Sequence, residues 1–91
     1  ELKAVEADER NIIQIQRYID WIEQYYIPNR QSDIQPVLVA KKITDKQSNA
    51  YQRLIDSFNR FNKTNKSRCA KLRYIEFDLE NGDLSFNIVS Y

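Results

Sequence analysis

Ninety-one residues, 42% hydrophobic and 30% charged, with one Gly and two Pro, have the composition of one small ordered domain and exclude a linker or a disordered tail. Fourteen Lys and Arg against thirteen Asp and Glu leave a formal charge of +1, which excludes a partner chosen by net charge alone. A single Cys and no His exclude an intrachain disulfide and a Cys/His zinc centre, and favour an intracellular, cytoplasmic setting.

No apolar run approaches the roughly 18 residues that span a bilayer, so no membrane contact is expected. A domain of this length buries somewhat over ~60% of its unfolded surface, so its core is modest. The chain opens in what reads as the interior of a strand, without Met at position 1. The expectation is a single domain, 1–91, that is part of a longer protein.

Glu1 to Glu6 sets Leu2, Ala4 and Val5 among charges and reads as the end of a buried strand. Asp8 suits an N-cap, with acids at 8 and 9 where a helix dipole favours them. Ile12, Ile15, Ile19, Ile22 and Tyr26 then repeat at helical spacing and form one apolar stripe. Gln16, Asp20 and Glu23 lie off that stripe and are expected in water. Gln14, Tyr18, Trp21 and Tyr25 make a second strip about 100° round the helix. Pro28 ends the helix and residues 29–33 form a polar loop.

Ile34 to Ile43 contains the unbroken apolar run Val37-Leu38-Val39-Ala40, the pattern of a strand covered on both faces. Thr44 or Asp45 suits the cap of a second helix carrying Tyr51, Leu54, Ile55, Phe58 and Phe61, and residues 59–67, rich in Asn and Lys, read as a loop after a fraying end. Leu72 to Leu79 places Ile75, Phe77 and Leu79 on one face of a strand; Leu84, Phe86 and Ile88 alternate along the last. Asn81-Gly82 between them predicts a type I′ hairpin. The fold class is therefore α/β, a mixed sheet with two helices in the order β-α-β-α-β-β.

Glu1-Leu2-Lys3 followed by Gln14-Ile15-Gln16-Arg17-Tyr18, on this element order, resembles the PD-(D/E)xK, or restriction-endonuclease-like, nuclease superfamily. In that family a strand bearing E-x-K runs into a helix, and one branch carries Q-x-x-x-Y there. The family's remaining metal-binding Asp comes from a hairpin before the E-x-K strand and is expected outside residues 1–91. The resemblance implies a core lacking its N-terminal strands and a Mg²⁺- or Mn²⁺-dependent endonuclease acting on DNA. It makes Glu1 the metal ligand, Lys3 the charge stabiliser or water activator, and Gln14 and Tyr18 positioning groups. Q-x-x-x-Y occurs again from Gln47 to Tyr51, with no role assigned.

The chemistry asks for these residue types. Hydrolysing a phosphodiester needs an activated water and relief of developing negative charge, which carboxylate-held Mg²⁺ and a nearby ammonium supply. Arg60, Lys63, Lys66, Arg68, Lys71 and Arg73 run without an acid between Asp56 and Glu76 and are the expected phosphate-contacting residues, with Lys41 and Lys42 as secondary ones. Trp21 and Tyr25 suit base stacking or packing on a partner. The alternative is a non-catalytic nucleic-acid-binding or protein-interaction module on the same fold, assembling with other chains or further copies through the Trp21 and Tyr25 strip.

Overall fold

The computed structural model describes the backbone of residues 2–25 and 34–91 and the side chains of 5–25 and 34–91. The elements follow the expected order: β1 (Leu2–Glu6), α1 (Glu9–Tyr25), β2 (Val37–Lys41), α2 (Asn49–Thr64), β3 (Arg73–Glu80) and β4 (Asp83–Val89). One mixed sheet runs β1-β2-β3-β4, its first two pairings parallel and its last antiparallel. Glu1, Tyr26, Pro28 and the loop at 29–33 lie outside the described residues.

Asp8 caps α1 as expected, accepting the Arg10 amide at 2.8 Å on Oδ1 while its own amide donates to Asn11 Oδ1 at 2.9 Å. The cap of α2 differs from the expectation. Ser48 holds it, its Oγ accepting the Tyr51 amide at 3.1 Å, and Asp45 instead closes the preceding turn by accepting the Gln47 amide. The helix also persists through Thr64, where a loop was expected, because Phe61 is still being buried and Asn65 closes the end. The Asn65 amide and side-chain nitrogen both donate to the Phe61 carbonyl, at 3.0 and 2.8 Å.

Two parallel crossovers step the same way along the sheet, and with the usual right hand for such connections both helices are expected on one face. Burial agrees. Leu38 and Ala40 of β2 and Tyr74 of β3 join Ile12, Ile15, Ile19, Leu54, Phe58 and Phe61 in one core, with the Phe58 ring 5.0 Å from that of Tyr74. Glu76 lies on this covered face at 3% exposure. Its carboxylate accepts Lys46 Nζ at 2.7 Å, the Ile43 amide at 3.0 Å and the Tyr74 hydroxyl at 3.1 Å, so the buried charge is paired and hydrogen-bonded.

The expectation that β2 is covered on both faces is overturned. Val37 and Val39 are only half-buried, and the face they share with Ile75, Phe77 and Leu79 carries no helix among the described residues. The strand hydrophobicity that suggested two covering layers instead supplies one core and one open apolar face. The hairpin follows its sequence: Asn81 and Gly82 both hold positive φ, 53° and 82°, as a type I′ turn requires.

Candidate functional site

Strand β1 passes through Ala7 and Asp8 directly into α1, so the E-x-K strand and the Q-x-x-x-Y helix meet at one corner. Glu1 and the Lys3 side chain lie outside the described residues; the Lys3 backbone is in β1. The other two are brought together: Gln14 Nε2 donates to the Tyr18 hydroxyl at 3.0 Å, one helical turn apart and exposed.

The flank of α1 on which that pair stands follows from the opposite one. Gln16 exchanges two hydrogen bonds with the Asn65 side chain, at 2.6 and 2.9 Å, and Asp20 and Glu23 hold Arg68 at 2.5 and 2.8 Å. Gln16 and Glu23, expected in water, are half-buried on the side of α1 toward the end of α2, while Asp20 on the same side stays exposed as expected. Gln14 and Tyr18 each sit two residues from Gln16, about 200° round the helix, and Trp21 and Tyr25 stand in the same relation to Glu23. The strip therefore lies on the side of α1 away from α2, above β1, the edge strand of the sheet.

Around the strip the surface is grooved. A shallow groove of about 610 Å³ is lined by Arg10, Ile13, Gln14, Arg17 and Tyr18, so two guanidinium groups and no carboxylate accompany the motif pair. Arg10 bridges to Asp8 at 2.9 Å, and this contact raises its pKa further. Arg10 also borders a second groove of about 410 Å³ beyond the carboxyl ends of β1 and β2, whose lining includes Glu6, Asp8, Glu9, Thr44 and Asp45. Open parallel sheets bind ligands at such ends. Arg10 and Arg17 were not singled out from sequence, although their places at i, i+4, i+7 and i+8 with Gln14 and Tyr18 mark one face.

The basic run is divided rather than gathered. Arg60 and Lys63 project from α2 and Lys66 from the following turn, all exposed. Arg68 is engaged by Asp20 and Glu23, and Lys71 Nζ lies 4.6 Å above the Tyr91 ring. Arg73, paired with Val37 at the start of β3, faces the open side of the sheet.

Among the described residues no three Cys, Asp or Glu side chains form a cluster that could hold a metal ion. No helix among them is long and apolar enough to cross a membrane. No family model, curated protein or solved structure matches this chain.

Proposed function

We propose that this chain is the carboxyl-terminal part of a PD-(D/E)xK-like nuclease domain that hydrolyses phosphodiester bonds in DNA with Mg²⁺ or Mn²⁺. The observation that supports the reading is the corner itself: the E-x-K strand at the sheet edge, leading into a helix whose hydrogen-bonded Gln14 and Tyr18 stand above that edge beside Arg10 and Arg17. Glu1 and an acid supplied from outside residues 1–91 would hold the ion, which when bound supplies an activated water and relieves charge on the phosphate. Lys3 stabilises negative charge at the reacting phosphate, and Gln14 and Tyr18 orient the backbone, with Arg10 and Arg17 adding phosphate contacts.

The exposed edge of β1 suits such an addition, because an incoming strand finds unpaired backbone groups there. The test compares residues 1–91 with the chain extended toward its amino terminus, on labelled DNA with Mg²⁺ or Mn²⁺. The short form is expected to be inactive and the extended form to cleave. Lys3→Ala in the extended form is expected to abolish cleavage while Gln14→Ala and Tyr18→Phe lower it roughly 10- to 100-fold. Full activity of Lys3→Ala removes Lys3 from the mechanism.

A second reading, a binding module without chemistry, is favoured by the tilted Trp21 and Tyr25 rings, 5.8 Å apart and 50% and 63% exposed along the same flank. An extended form that binds DNA through Trp21 but never cleaves it decides for this reading.

A further inference from the structure

The turn between β3 and β4 joins two residues that react with each other. Glu80 and Asp83 are the last registered pair of the hairpin, so Asn81 and Gly82 alone make the connection, and both are exposed. Among the described residues the Asn81 side chain has no hydrogen-bond partner. Beyond the adjacent residues no atom lies within 4 Å of where a Gly82 Cβ would stand, so the Gly82 nitrogen is open to approach. Gly82 is the only Gly of the chain, and every other Asn is followed by a residue whose side chain crowds the next amide nitrogen.

Backbone geometry decides whether that nitrogen reaches the Asn81 side chain. With φ 53° at Asn81 and 82° at Gly82 the turn is type I′, in which ψ of the first central residue is about 30° and the following nitrogen points away from Cβ. Closing a five-membered ring needs the nitrogen eclipsed with Cβ, at ψ near about −120°. A type II′ turn, the mirror of type II, holds its first central residue at about (60°, −120°) and its second at about (−80°, 0°). Asn81 already has the required φ, and Gly82 adopts either sign of φ freely. Rotating the one peptide plane between them therefore reaches the ring geometry inside a two-residue hairpin, with β3 and β4 still paired.

We infer that Asn81 is a site of spontaneous deamidation, gated by this rotation. The Gly82 nitrogen gives up its proton to water and attacks Asn81 Cγ; the N–Cγ bond forms, the Cγ–Nδ2 bond breaks and ammonia leaves, giving a succinimide. Water then adds at Cγ to give aspartate, or at the main-chain carbonyl carbon to give isoaspartate. Either product sets an anion between Glu80 and Asp83 and removes one unit from a formal charge of +1. Isoaspartate also lengthens the main chain by a methylene where turn length fixes register, so it loosens β4, whereas aspartate preserves the backbone. The turn joins strands at the opposite edge of the sheet from β1, and the inference is independent of the nuclease reading.

Incubating the 91-residue chain in mildly alkaline buffer, then mapping its peptides by mass and by isoaspartyl methylation, tests it. The amide-to-acid mass gain is expected at Asn81 before any other Asn, and within ~10-fold of its rate in the guanidinium-unfolded chain, as a rotation costing less than about 1.4 kcal/mol allows. Asn81→Gln, whose ring would need six members, is expected to lose the product. The isoaspartyl form, separated by ion exchange, is expected to melt below the starting chain, and Asn81→Asp close to it. A folded chain protected more than ~100-fold relative to the unfolded one, which would mean that the turn reacts only after wider opening, or a product that forms first at another Asn, overturns the inference.

Discussion

Glu76 shows how much a single residue fixes in this domain. Its carboxylate, within the core, ties the β2–α2 connection to β3 through the Ile43 amide and Lys46, and receives the Tyr74 hydroxyl. Removing one partner of a buried pair leaves the others unsatisfied, so Glu76→Ala is expected to cost ~3 kcal/mol, measured by urea unfolding, a large part of the stability of a domain this size. Burial and the neighbouring Glu76 push the Tyr74 phenol well up from 10.0; burial also raises Tyr91 and the Cys69 thiol. The folded state thus keeps protons that the unfolded chain releases. Stability is fully present below the unfolded values, 9.0 for the thiol and 10.0 for the phenols, and falls as pH rises past them. The melting temperature is expected to be flat from about pH 7 to 8.5 and to drop steeply above 10, with Tyr74, wholly buried, approaching ~1.4 kcal/mol per pH unit. Tyr74→Phe is expected to lose ~1 kcal/mol at neutral pH and to flatten the alkaline fall, read from the same melts.

At the scale of elements, two joints decide the arrangement. Asn65, 1% exposed, binds Gln16 across 49 positions of sequence and closes α2 on the Phe61 carbonyl, so it sets how α1 lies against α2. Asn65→Ala is expected to cost ~2 kcal/mol in chemical denaturation and, by releasing α1, to alter the position of Gln14 and Tyr18. Gly82 holds φ 82° with nothing within 4 Å of an added Cβ, so Gly82→Ala tests conformation alone and is expected to cost ~1 kcal/mol. Element order was legible because periodicity and the Asn81-Gly82 turn are local signals. The covered side of β3 was not. Ile75, Phe77 and Leu79 look like its core face, yet Tyr74 and Glu76 take that place because a phenol and a carboxylate find partners on the helices and connections above. Gln16 and Glu23 looked solvated for a related reason: their partners, Asn65 and Arg68, are distant in sequence and polar, whereas Asp20, which also holds Arg68, is exposed as its position on the helix indicates. Of the candidate site, the pairing of Gln14 with Tyr18 was readable from their four-residue spacing, whereas the dispersal of the basic run depends on tertiary neighbours.

For the whole molecule, the two unfinished boundaries point in different directions: the edge of β1 and the α1 flank on one side, the bare sheet face on another. Trp21 gives this layout a practical consequence. It is the sole tryptophan of the chain and stands half in water on the α1 flank. Its emission is therefore a local optical gauge: it should shift and lose iodide quenching when an oligonucleotide or an added strand occupies that corner, and stay unchanged when either binds elsewhere.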